Sequence, residues 1–263
     1  DLVIKKAEIN SKTRVSGGSV LIENNKPTGV LIDNAMDLAM NILPSMGSKI
    51  ISKALIDAQT KAFENGLTTV DDAGLNKRTI MIIDSLQKKG DLKIRVYAMI
   101  SNTSDNLNYF LDKGIIEQEK LTVRSVKAYL DGALGSRGAL LKKPYSDDNK
   151  NKGITITTKE ELFELAEKLS SKGFQLNTHA IGDKANEIVL DVYNYILKDI
   201  EDPRWRVEHA QVVDEFDIQK FNSKIIPSVQ PTHATSDMNW ADDRLGSNRL
   251  KRAYSYKNLL DWS

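Results

Sequence analysis

Two hydrophobic periods alternate along this chain. Ile51, Leu55, Ala58 and Ala62 recur at three- and four-residue intervals and predict a helix that stops near Gly66. LTTVDDAG then reads as a strand ending in acids. Ile80, Ile83 and Leu86 share one face of a helix over about 77–88, with Gly90 as terminator. LKIRVYAMI is a strand, 105–112 a helix, and LTVRSVKAYLDG a longer strand. A polar, turn-rich loop runs from Gly132 to about Thr157. Thr158 and Glu161 form a capping box, and Leu162, Leu165 and Leu169 give the buried face of a helix ending at Gly173. A strand to His179, a helix over about 183–197, a strand to His209, a short helix from Asp214 and the strand IIPSVQ come next. The tail from Thr235 is polar, with a helix expected near Arg249–Tyr254. Before Pro44 the pattern is mixed: GGSVLIENNKPTGVLID predicts a two-stranded excursion turning near Asn24–Pro27.

Strand and helix in regular succession predict an α/β fold built on a parallel sheet of about six strands. A (β/α) barrel and a doubly wound sheet both satisfy that order. A doubly wound nucleotide-binding sheet requires a glycine-rich turn after its first strand. The candidate here, Gly132, Gly135 and Gly138, has the wrong spacing and no helix directly after it. Functional residues at the carboxyl ends of many strands favour the barrel, which gathers every strand end around one mouth.

Those strand ends hold the ionisable residues. LTTVDDAG offers Asp71 and Asp72, which are expected to cap the next loop or helix. VRSVKAYLDG offers Lys127 and Asp131, QLNTHAIGD offers His179 and Asp183, WRVEHAQ offers Glu208 and His209, and SVQPTH offers Gln230 and His233. His179, His209 and His233 are the only three histidines of the 263 residues. Imidazole is the commonest protein metal ligand and titrates near neutrality. Three in succession at strand ends point to one assembled site. Two neutral imidazoles and an anionic oxygen suit zinc or a similar divalent ion. Lys127 shares a strand face with Ser125 and Tyr129, and enclosure inside a barrel would lower its pKa. A neutral amine near a metal can become a carbamate; the alternative is a lysine whose stem lies along the strand while its head meets water or Asp131. His233 comes after Pro231 and is expected to bind substrate or stabilise an oxyanion. Arg137 is a candidate for a substrate carboxylate or a surface ion pair, and Asp183 for a helix N-cap.

Composition narrows the class. Cysteine is absent, which excludes disulfides, thiolate ligands and a cysteine nucleophile. A net charge of +1 gives no field favouring nucleic acid or an anionic membrane. No apolar run approaches the ~20 residues of a membrane span, and DLVIKKAEINSKTR lacks the apolar core of a signal peptide. A cytoplasmic location is the default expectation. The partner is expected to be a small-molecule substrate, and self-association into a homo-oligomer stays open.

VKAYLDGALGSRGALL, NTHAIGDKANEIVLDVY, RWRVEHAQVVD and SVQPTHA, with GGSVLIENNKPTGVLIDNAMDL and NGLTTVDDAGL, resemble the amidohydrolase superfamily. The branch they resemble is that of the metal-dependent hydrolases that include N-substituted formamide deformylase and YtcJ-like proteins. The resemblance runs from about Gly17 to Ser263. It implies a (β/α)8 TIM-type barrel, one or two divalent ions with zinc expected, and hydrolysis of a non-peptide, amide-like C–N bond. Lys127 corresponds to a metal-bridging lysine carried as a carbamate, His179 and His209 to catalytic metal ligands of the fifth and sixth strands. His233, Asp131 and Arg137 fall on the substrate side. The His-x-His pair of the family's first strand does not occur in this sequence, and the terminal aspartate of its eighth strand is not reached. The expectation is therefore an incomplete barrel, strands two to seven, preceded by a small irregular or β-hairpin segment over 1–43. Such a segment is expected to have little activity alone. A lactone or phosphoester hydrolase with the same site, or a non-catalytic relative, are the alternatives.

Overall fold

A computed structural model describes residues 2–262. Among them run the strands β1 (Gly18–Glu23), β2 (Lys26–Asp33), β3 (Thr69–Leu75), β4 (Arg95–Ser101), β5 (Ile116–Glu117), β6 (Leu121–Tyr129), β7 (Gln175–Ala180), β8 (Trp205–His209) and β9 (Ile225–Ser228). The first two form a separate antiparallel pair. The others share a sheet in the order β3-β4-β6-β7-β8-β9, and β5 pairs antiparallel with β6. The pairs β3–β4, β4–β6 and β8–β9 are parallel, and helices fill the connections between them. The fold is thus mixed α/β on a largely parallel sheet, as the alternation of periods predicts.

Two compact units are distinguished. One comprises Pro44–Ala128 and Glu167–Asn177. Its helix Lys77–Lys89 buries Ile80 and Ile83, begins where the Asn76 side chain accepts from the Thr79 N–H, and ends at Gly90 in left-handed backbone (φ 82°). Asn76 therefore supplies the cap expected of Asp71 or Asp72, which sit exposed within β3. Val96, Ala98, Met99 and Ile100 of β4 and Val123 and Val126 of β6 are buried. The helix Ser48–Glu64 buries no residue fully, although its periodicity predicts an apolar face.

The other unit takes the stretch up to Leu43, Tyr129–Ala166, and the chain from Thr178 onward. Its hairpin turns at Asn24 and Asn25, both with positive φ, the backbone a two-residue hairpin loop needs. The segment 132–157, read from the sequence as a polar loop, is a packed element without regular structure. Leu134, Ala139, Leu141 and Tyr145 in it are buried with Ile181, Val212 and Leu245. Ile154 N–H bonds to Gly138 O (3.0 Å) and Ile156 N–H to Leu130 O (2.8 Å), closing it on itself and on the end of β6.

The tail differs from expectation. Helices occupy Thr232–Asp237, Ala241–Leu250 (broken by a kink at Gly246, φ 69°) and Tyr256–Trp262, and none spans Arg249–Tyr254. There Tyr254 takes positive φ (55°) and gives its N–H to Gln211 O (2.8 Å), a tertiary bond that replaces the next helical one. The capping box predicted at Thr158 is present: Thr158 N–H bonds to Glu161 (2.8 Å) and Glu161 N–H to Thr158 Oγ1 (3.2 Å). Among the described residues no helix is long and apolar enough to cross a membrane.

Gly153 has φ 92°, and a Cβ there would lie 2.0 Å from Ala139 O. Both the strained backbone and the rigid neighbour oppose any side chain. Gly153→Ala is expected to lower stability by about 2 kcal/mol or more, read from the urea unfolding midpoint.

Candidate functional site

The second of these units brings all three histidines together. His179 is the penultimate residue of β7, His209 the last of β8, and His233 the second residue of the helix after β9. The His179 and His209 rings meet edge to face at 4.5 Å between centroids, and His209 stacks on His233 at 5.7 Å. Tyr129, at the end of β6 and nearly half exposed, lies 5.6 Å from the His179 ring. In a strand alternate residues share a face, so matching positions at neighbouring strand ends converge on the same rim.

Each of the two inner imidazoles directs one nitrogen to a protein oxygen. His179 Nε2 is 3.3 Å from Gly132 O and 3.4 Å from Asp131 Oδ1. His209 Nδ1 is 2.7 Å from Gln230 Oε1. Metal-ligating histidines characteristically hold their second nitrogen this way, which fixes ring and tautomer. The backbone at His209 is itself unusual. His209 and Ala210 both take positive φ (77° and 41°), a conformation that costs on the order of 1–3 kcal/mol per residue and concentrates at functional sites.

Asp131 braces the arrangement from beneath. Its carboxylate is fully buried and accepts from Leu140 N–H (2.9 Å), Ile181 N–H (3.0 Å) and Gly182 N–H (2.8 Å). Burial pushes its pKa up to about 7, although the three N–H groups pull the other way. Asp33 adds to the rise. Its own carboxyl lies where a Cβ on Gly132 or Gly138 would sit, its Oδ2 is enclosed without a hydrogen-bond partner, and its backbone has φ 50°. Burial raises the Asp33 pKa as well.

The remaining sequence candidates have other partners. Arg137 makes a two-pronged pair with Asp147 (3.0 and 2.8 Å), and Arg244 joins the same carboxylate, so its guanidinium is held by a surface acid. Asp131, expected on the substrate side, has its oxygens engaged by backbone N–H groups instead. Asp183 is the first residue of the helix Asp183–Ile196, not its cap; its side chain accepts from Lys142 N–H (2.8 Å). Glu208 points away to Arg206 (2.7 Å). Lys127 belongs to the other unit. It is buried on β6, paired in register with Ser101, and its Nζ donates to Ala128 O (3.1 Å). Among the described residues no group of three or more His, Cys, Asp or Glu is arranged to hold a metal. Two imidazoles suit a divalent ion in their chemistry, and a site built on them would need further donors.

The sequence profile of the amidohydrolase family matches residues 1–261. This chain belongs to the amidohydrolase family. It is 32% identical over 278 residues to Protein LONG AFTER FAR-RED 3 of Arabidopsis thaliana, covering 99% of this chain and 48% of that protein. It is 30% identical over 266 residues to the putative amidohydrolase YtcJ of Bacillus subtilis (strain 168), covering 98% and 50%. The crystal structure of an uncharacterized metal-dependent hydrolase from Pyrococcus horikoshii OT3 superposes with a TM-score of 0.79 at 28% identity, over 100% of this chain and 52% of that one. The amidohydrolase chain thus spans about half the length of the curated relatives it matches.

Two contributors to this arrangement carry little signal in sequence. Asp33 lies in a segment that reads only as a hairpin. Gln230 sits at a strand end, but nothing in SVQPTH shows that its amide meets His209.

Removing the Asp131 carboxyl orphans three buried N–H groups, so Asp131→Ala is expected to cost about 3–5 kcal/mol. The sign with pH comes from its raised pKa. Between about 4 and 7 the folded metal-free protein holds a proton at Asp131 that the unfolded chain has released. The advantage of wild type over Asp131→Ala is therefore greatest below pH 4 and shrinks as pH rises through 7. Urea titrations of both proteins across that range measure it.

Proposed function

We propose that this chain provides part of the active centre of a metal-dependent hydrolase acting on amide-like, non-peptide C–N bonds in small molecules. The strand ends are read as the mouth of an incomplete (β/α) barrel. His179 and His209 would hold a divalent ion, zinc being expected. The observation that carries it is the paired imidazoles, each with one nitrogen directed to a protein oxygen. What a divalent ion supplies when bound is Lewis acidity towards water and a carbonyl oxygen.

The chain's own residues do the positioning. Gly132 O and Asp131 orient His179, and the Gln230 amide orients His209. His233, stacked on His209 and half-buried, is the residue placed to meet substrate, with the exposed Tyr129 ring beside His179. Arg137 is assigned to the surface network with Asp147 rather than to substrate. Because the sequence has no His-x-His pair, these 263 residues alone are expected to turn over little substrate.

Metal analysis by mass spectrometry after growth with added zinc tests the reading. Wild type is expected to retain a stoichiometric divalent ion, and His179→Ala and His209→Ala to lose it while keeping the wild-type circular dichroism spectrum. Preparations of folded wild type that never retain a divalent ion would overturn it.

A further inference from the structure

The geometry points to Gln230 as a positioning residue: we infer that its side-chain amide holds the proton of His209 on Nδ1 and so keeps the lone pair of the neutral ring on Nε2. This deepens the proposed function and rests on it only for the use made of that lone pair.

A neutral imidazole carries its proton on one nitrogen and a lone pair on the other. Which nitrogen is protonated depends on the partner offered. A carboxamide offers two opposite faces, so its orientation decides the matter. Gln230 Nε2 donates to Ser228 O (3.4 Å), which leaves Oε1 to face His209 Nδ1 at 2.7 Å. An oxygen can only accept, so Nδ1 must carry the hydrogen. The backbone of Gln230 is fixed independently. Its carbonyl accepts from Tyr256 Oη (3.0 Å) and from His233 N–H (3.0 Å). The glutamine is thus held at both ends, its amide on β9 and its carbonyl by the C-terminal helix.

His209 at φ 77° and Ala210 at φ 41° both lie in left-handed backbone, so the turn that carries the ring is itself conformationally restricted. In water neutral histidine prefers the opposite tautomer, with the proton on Nε2, so the tautomer is a readout that folding alone does not predetermine.

With three histidines in the chain, long-range 1H–15N correlation spectra resolve each ring. The experiment uses metal-free protein at a pH where His209 is neutral. Wild type is expected to show a protonated Nδ1 and an unprotonated Nε2 at His209. Gln230→Leu is expected to move His209 to the Nε2–H tautomer while His179 keeps its own. Gln230→Glu, which retains the acceptor, is expected to restore the wild-type pattern. A zinc titration of the same samples is expected to show about 10–100-fold weaker binding for Gln230→Leu. Nε2–H at His209 in wild type, or no change in Gln230→Leu with an unaltered fold, overturns the inference. If wild type shows the Nδ1–H tautomer yet binds no zinc, the metal-dependent reading fails and the role of Gln230 stands.

Discussion

A single buried carboxylate organises the site. Asp131 lies two residues past the strand that holds Lys127 and Tyr129 and reaches three N–H groups from two other places in the chain: Leu140 in the packed segment after β6, and Ile181 and Gly182 just past β7. His179 stands two residues before Ile181 and leans its Nε2 on the same carboxylate and on Gly132 O. Remove that acceptor and the connection after β6, the turn after β7 and the first histidine all lose their reference point. A buried anion is costly to desolvate, and three charge-assisted bonds are the usual way such a group is kept.

The second histidine is fixed by a different device. It depends on local backbone strain and a neutral amide rather than on charge. Two means of support for two adjacent rings let each be oriented independently. They also place the anchors in stretches far apart in sequence, from the hairpin that carries Asp33 to the helix that carries Tyr256.

Much of this was legible in the sequence because it rests on periodicity. The helices at 77–89 and 183–196, the capping box at Thr158 and the strands ending in His179 and His209 all come from spacing and local chemistry. The gathering of the three histidines has the same origin, since parallel strands in chain order put their carboxyl ends side by side. Less legible were features set by tertiary partners. Asp131 read as a free acid at a strand end, and only the fold reveals the N–H groups around it. The stretch 132–157 read as polar because its buried Leu134, Ala139, Leu141 and Tyr145 have no period. Arg137 read as a substrate contact because the sequence does not show Asp147 across the turn. The end of the helix at Leu250 is imposed by the bond from Tyr254 to Gln211, which no local propensity encodes.

The unit holding the histidines is assembled from three separated stretches of chain. During synthesis Asp33 leaves the ribosome about a hundred residues before Gly132, and Gln230 leaves it before the Tyr256 hydroxyl that donates to its carbonyl. Non-local closures of this kind slow folding. Nascent chains halted before Tyr256 would therefore carry all three imidazoles yet lack the tether that fixes the strand-end glutamine. A chaperone or a slow translation pause between Gln230 and Tyr256 would act on the step at which the pocket acquires its shape.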